Sequence, residues 1–309
     1  MTAKLQRGRK DRMGRKLGCG FWNKVFLGTA IMAVWGIAAV VSAADKDFAA
    51  LQRKLVAEGF PAQQMARIYS IEPPTLQFKM VATMFKLRES KLNYAQFLEP
   101  PAINRALTFL KAQRSSLSQA EKRYGVDPYI IVALLLVETR LGEYTGRTPT
   151  LAVLSTYALM DQISYRDRVW ALVEPADRAR LGRSAFDEKL IRRSQWAYQE
   201  LCALLRWTNA DPHEVKSLQG SLMGAIGLPQ FIPSTLERYG ADGDYDGVID
   251  LFQAADAIMS IARYLQSLGW SQTSTIAERE KVIYEYNHSR PYVDAILAIA
   301  SRLRAVQGA

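Results

Sequence analysis

The stretch 124–146, YGVDPYIIVALLLVETRLGEYTG, constrains this chain most, because its centre offers no polar side chain to turn toward water. Asp127 suits an N-cap, Pro128 suits the first helical position, and residues 130–137 are apolar without a break. A helix that is apolar all round must be wrapped in protein on nearly every side. Glu138 follows directly, so its carboxyl group is expected beside the core and near the negative end of the helix dipole. Both influences disfavour the ionised form and push its pKa upward. A carboxyl group still protonated near neutrality is what a glycosidase needs to protonate a leaving oxygen. Gly142 and Gly146 then break the helix into an open polar loop carrying Tyr144, Arg147 and Thr148, which points Glu138 at a cleft. The competing reading is a helix-end glutamate that simply turns to solvent.

With 309 residues and 49% hydrophobic content, the chain can bury a full core in one large domain or two small ones. Its formal charge of +10 is concentrated at the start. Residues 1–24 hold eight basic side chains and one acidic, which leaves 32 basic against 29 acidic in the remainder, a net +3. The compositional case for a nucleic-acid partner falls away with that segment. The basic stretch precedes an apolar run at 25–41 and then Ser42-Ala43-Ala44, the pattern of a secretory signal over residues 1–43 with the cut before Ala44. The run is also long enough for an uncleaved membrane anchor. Either way residues 45–309 are expected outside the cytoplasmic membrane, in the periplasm. Cys19 precedes the apolar run, so no lipid anchor is read, and Cys202 alone then excludes an internal disulfide.

The exported part reads as mainly α. Phe48, Leu51 and Leu55 recur at helical spacing before Gly59, and Pro61 opens the next helix. Residues 73–101, with four prolines, suggest a winding segment or short strands. Residues 102–124, 184–207, 254–268 and 292–306 read as helices. The charged stretch 161–183 reads as a surface excursion.

Three further motifs carry chemistry. GSLMGAIGLPQFIPST at 220–235 is rich in glycine and proline around Gln230, which makes it a tight loop or, facing Glu138, a wall where Ser221 and Gln230 hold sugar substituents. DGDYDGVIDLFQ at 242–253 resembles a calcium-binding loop. Asp242, Asp244 and Asp246 alternate, Gly247 supplies the turn, Val248 offers its carbonyl and Asp250 takes the ninth position, but Gln253 stands where a bidentate glutamate belongs. A solvated acidic turn is the plainer alternative. YEYNHSRPYV at 284–293 gathers Tyr286, Asn287, Ser289 and Tyr292, as a solvated loop or a sugar-binding wall. The two histidines, His213 and His288, give little support to a metal or Ser-His centre.

Taken in order, these motifs resemble the lytic murein transglycosylase B family, glycoside hydrolase family 103, over roughly residues 48–306. The segment 124–142 is similar to the family's catalytic helix, which puts Glu138 on its single acid/base. The glycine-rich segment maps Ser221 and Gln230 onto substrate-contacting positions, and the calcium-like loop, Trp270 and the Tyr286-Asn287 pair follow in the family's order. Leu136 and Ile226 depart from the common glycine and methionine, and residues 156–170 lack the aromatic-proline pattern.

The resemblance implies a lysozyme-like (goose-type) helical core with an additional helical subdomain and few short strands. Residues 44–309 would form the catalytic domain, with 127–250 holding most of the site. It also implies cleavage of the β-1,4 bond between N-acetylmuramic acid (MurNAc) and N-acetylglucosamine (GlcNAc) in peptidoglycan glycan strands, with a 1,6-anhydromuramic product. On this reading Glu138 is catalytic. Ser221, Gln230, Tyr286, Asn287 and Tyr292 bind substrate, and Tyr286 orients Glu138 or supports the oxocarbenium-like state. No cofactor serves the chemistry, calcium is structural, and the protein is a monomer open to cell-wall synthesis or division proteins. The alternatives are a lysozyme-like hydrolase that delivers water from the same Glu138, and a non-catalytic wall-binding protein.

Overall fold

The molecule is built around one buried helix. In the computed structural model, residues 43–71, 73–86 and 93–307 are described. The expected secretory or anchoring segment therefore lies outside the described residues, apart from Ala43, where the first helix begins. The central helix, Pro128–Thr139, starts as its sequence dictates, with Pro128 in the first turn and the Asp127 carboxylate accepting the N–H of Tyr129 at 2.9 Å. From Ile130 to Leu136 no side chain is more than 3% exposed. Each of the Val, Leu and Ile side chains among them contributes roughly 1.5–3 kcal/mol by leaving water. The helix is walled by Pro100–Ala112, Arg114–Tyr124, Ala254–Ser267 and Arg290–Gln307, whose apolar stripes all turn toward it.

A second group of helices packs beside this core. Thr150–Ala158, buried at every position, lies along Arg183–Trp207, a 25-residue helix. The N-terminal helix Ala43–Ala57 closes over them, with Phe48 on Tyr69 at 5.1 Å and the Tyr69 hydroxyl bonded to Ser155 Oγ at 2.9 Å. The described strands number two and are short: Thr148–Pro149 pairs antiparallel with Gln219–Gly220, Thr148 opposite Gly220. Single bridges continue this ribbon from Gly220 to Ile226 and from Ile226 to Phe231.

Three stretches differ in detail from what their sequence suggests. Residues 102–124 form two helices, because the chain turns at Gln113 (φ −100°, ψ 19°). The stretch 73–101 contains no strand among its described residues; it holds the helix Phe78–Thr83, the 3-10 turn Tyr94–Leu98 and the start of the helix at Pro100. The charged excursion at 161–183 is mostly exposed, and it is organised as two helices, Ile163–Leu172 and Pro175–Leu181. Part of its charge is paired within the molecule. Arg166, only 7% exposed, donates to the carbonyls of Met160 and Asp161 and to Asp187, while Arg183 bridges Asp167 and Asp187.

Candidate active site

The central helix ends at Glu138 and Thr139 through an unusual reversal. Arg140 (φ 53°) and Leu141 (φ 65°) are both left-handed, so the helix stops at Thr139, three residues before Gly142. Left-handed backbone costs a non-glycine residue about 1–2 kcal/mol, and here the Leu141 N–H returns to the Leu135 carbonyl at 2.9 Å. Thr139 fixes the reversal. Its hydroxyl donates to the Leu228 carbonyl at 2.9 Å and accepts the Gly142 N–H at 3.1 Å, tying the helix end to the glycine-rich loop.

The same loop reaches the opening at Gly146, whose φ is 94° and whose Cα faces the Gly220 carbonyl so closely that a Cβ would lie 2.1 Å from that oxygen. Only glycine allows that approach. Gln230 (φ 50°) locks it from the other side, donating through Nε2 to the carbonyls of Thr145 (3.1 Å) and Gly227 (2.8 Å).

Glu138 itself sits between two cavities, of about 400 and 250 Å³, that share Phe97, Val137 and Glu138 in their linings. The larger adds Thr139, Arg140, Glu143 and Tyr144; the smaller adds Asn93, Tyr94, Gln96, Asn287 and Tyr292. The Tyr292 hydroxyl donates to Glu138 Oε1 at 2.5 Å. Burial raises the Glu138 pKa to about 7, against the opposing pull of the Tyr292 hydrogen bond. Burial, and then the charge of Glu138, also holds the Tyr286 and Tyr292 phenols far above their usual range, so both remain neutral donors. Their rings stack at 6.5 Å with 12° between planes, and Tyr94 meets Tyr292 edge-on at 6.1 Å.

The expected site residues divide. Asn287 lines the smaller cavity beside Glu138, at the C-terminus of the helix Ile276–Tyr286, where a loop was read. Tyr292 lines the smaller cavity and is also the carboxyl's own partner, while the Tyr286 hydroxyl, expected to orient Glu138 or support the oxocarbenium-like state, donates to the Pro229 carbonyl at 2.6 Å. Ser221 and Gln230 lie outside both linings. The Ser221 oxygen accepts the N–H groups of Met223 (3.2 Å) and Ala225 (3.1 Å), so both residues shape the loop. Phe97, Tyr94 and Asn93 were missed because a five-residue 3-10 turn is too short to show periodicity.

The acidic loop is also rearranged. Carboxylate oxygens of Asp242, Asp244 and Asp256 lie within 4.8 Å of one another, and Asp256, three places beyond Gln253, was not foreseen. Asp256 is 1% exposed, and burial, with Asp244 and Asp242 adding repulsion, raises its pKa. Asp246 and Asp250 lie outside that close group, and their carboxylates accept the N–H groups of Val248 and Phe252, both at 2.8 Å. Val248 is 61% exposed. Three converging carboxylates form an all-oxygen donor set suited to a hard cation such as calcium.

Among known proteins, this chain is 29% identical over 182 residues to the membrane-bound lytic murein transglycosylase B of Escherichia coli K12, a match covering 59% of this chain and 42% of that protein. The chain thus aligns with less than half the length of that curated relative. The E. coli lytic transglycosylase SLT35, solved in complex with calcium, superposes with a TM-score of 0.67 at 22% identity, covering 85% of this chain and 94% of that one. The soluble lytic transglycosylase SltB1 of Pseudomonas aeruginosa gives 0.67 at 22% identity, with 85% and 100% covered. SltB3 of P. aeruginosa, solved with NAG-NAM-pentapeptide, gives 0.65 at 19% identity, with 84% and 79% covered. These likenesses establish the lysozyme-like helical fold. The profile described as Transglycosylase SLT domain matches residues 43–281, most of the chain, and the protein belongs to that family.

Proposed function

We propose that this protein is a peptidoglycan lytic transglycosylase that cleaves the MurNAc–GlcNAc β-1,4 bond and closes a 1,6-anhydromuramic ring, with Glu138 as its single acid/base. The observation that carries the reading is a carboxyl group between two cavities with a pKa raised to about 7. Tyr292 donates to Oε1, so the neutral acid keeps its proton on Oε2, the oxygen free to meet substrate. Glu138 gives that proton to the leaving GlcNAc oxygen as the muramic C1–O bond breaks. The substrate's own acetamido group stabilises the positive charge that develops at C1. The carboxylate, now bonded more strongly to Tyr292, takes the proton of the muramic C6 hydroxyl as that oxygen bonds to C1. The nucleophile is internal to the substrate, so no second carboxylate is needed to hold water. The other acidic group on these cavities, Glu143, is exposed and ion-paired with Arg105 at 3.5 Å.

Asn287 offers its amide to sugar substituents in the smaller cavity, and Tyr144 and Phe97 offer rings to pyranose faces in the larger. Asp242, Asp244 and Asp256 would hold a calcium ion, which fixes chain geometry beside the glycine-rich loop and takes no part in the reaction. An exported, periplasmic location follows from the substrate and from the N-terminal pattern of basic and apolar residues.

Digestion of purified sacculi followed by mass spectrometry tests the reading. Anhydro-muropeptides should appear with the parent protein and vanish with Glu138→Gln. Reducing-end products, heavier by one water, would replace the transglycosylase with a hydrolase. No product from the parent would leave a binding protein.

A further inference from the structure

Arg140 is placed where a side chain is hard to accommodate and easy to use. It caps the central helix at φ 53°, a position that glycine or asparagine fills without strain. Its side chain is exposed and lines the larger cavity with Glu138. Among the described residues its guanidinium has one hydrogen-bond partner, the neutral Gln96 Oε1 at 3.3 Å, and no carboxylate pairs with it. The one acidic neighbour in the lining apart from Glu138 is Glu143, already taken by Arg105. The larger cavity therefore presents an unneutralised, bidentate cation at its mouth, whereas the smaller one is lined by amides, aromatic rings and Val137 apart from Glu138.

We propose that Arg140 is a specificity residue that binds a carboxylate of the peptide stem hanging from a muramic acid unit, and that the larger cavity receives that stem. The proposal rests on the transglycosylase reading and adds a ligand for one side of the site. Muramic acid is every second sugar of the strand, so a stem hangs within two sugars of the scissile bond on either side, whichever way the strand runs. A guanidinium matches a carboxylate through two parallel N–H bonds, and Gln96 Oε1 is a weak partner that a carboxylate displaces. The exposed ring of Tyr144 lies on the same cavity, against which the apolar part of a stem can pack.

Calorimetric binding to the Glu138→Gln protein tests this without turnover. Three probes are compared: GlcNAc–MurNAc-pentapeptide, the same compound with its carboxylates amidated, and the peptide-free disaccharide. The carboxylate form should bind about tenfold more tightly than the amidated form, the lower end for a charge-assisted hydrogen bond. Adding Arg140→Asn should bring that ratio close to one, and Arg140→Lys, which keeps the charge but loses the two parallel N–H bonds, should retain only part of it. Asparagine tolerates the left-handed backbone, so the Arg140→Asn protein should melt no lower than its parent. A ratio of one before Arg140 is changed, or a ratio that survives Arg140→Asn, overturns the stem-binding role while leaving disaccharide binding and the wider reading intact. Failure of all three probes to bind overturns both.

Discussion

Replacing Glu138 with glutamine should stabilise the folded protein, and by an amount that depends on pH. Glutamine has the shape of the protonated acid, and its Oε1 can still accept the Tyr292 hydroxyl. Its amide occupies the place of Oε2 at the cleft, where water or substrate can satisfy it. In the parent, the Glu138 pKa rises from 4.5 to about 7 on folding. The folded state thus holds this proton more tightly than the unfolded chain does. The stability it contributes is present in full below pH 4.5 and is lost as pH rises through 7. Glutamine loses nothing over that range. With about 1.4 kcal/mol for each pH unit between the two pKa values, the variant's advantage is below about 1 kcal/mol at pH 5, about 2 at pH 6 and about 3 at pH 8. The carboxyl is partly open to the cleft, so solvent screening makes these upper values. For a domain of this size, about 3 kcal/mol corresponds to roughly 6–12 °C in melting temperature. Every other titrating group is common to both proteins and cancels in the difference. Thermal melts of the pair from pH 5 to pH 8 make the measurement. A difference that stays flat with pH, or that shrinks as pH rises, would refute an acid buried in its neutral form.

Two further outcomes follow from the same geometry. The rate on saturating and limiting substrate should fall above a pH near 7, where Glu138 loses its proton, and Tyr292→Phe should move that limb to higher pH because the removed hydrogen bond favours the carboxylate; a limb that moves down or stays put contradicts the assignment, and carboxyl-carbon NMR titration checks it independently. Calcium should raise the melting temperature of the parent but not that of Asp242→Asn, whereas Asp256→Ala should melt lower even under chelator, since its carboxylate accepts the N–H groups of Gly243 and Asp250, both at 2.7 Å.

The central helix and its acid were legible because an unbroken apolar run admits one placement, and whatever follows it inherits that burial. The glycine-rich segment was legible as a tight loop for a similar local reason. Which tyrosine meets Glu138 was not. Tyr286 and Tyr292 stand six residues apart on two helices joined by residues 287–289, and only the fold decides which hydroxyl points at the carboxyl group. The charged stretch 161–183 lies at the surface, as its composition suggests, but a count of charges does not reveal that Arg166 reaches Asp187 and two carbonyls inside the molecule. Asp256 was missed because a loop template ends at its twelfth position, while the helix after the loop brings in a buried carboxylate from beyond it.

These separate pieces meet at Leu228. Its N–H donates to the Leu251 carbonyl at 2.9 Å, at the end of the acidic loop, and its carbonyl accepts the Thr139 hydroxyl next to Glu138. A Cβ on Gly227 would lie 2.4 Å from the Leu251 Cβ, so the glycine-rich loop cannot withdraw from or advance toward the acidic loop without breaking contacts. Pro229, the next residue, accepts the Tyr286 hydroxyl, and Tyr286 stacks on the Tyr292 ring that holds Glu138. The carboxyl group is therefore positioned from two directions by one short segment, through Thr139 on its own helix and through the tyrosine pair on the opposite wall. That arrangement explains why a loop whose polar side chains point away from the cavities still belongs to the site: it sets the distance between the acid and the residue that orients it.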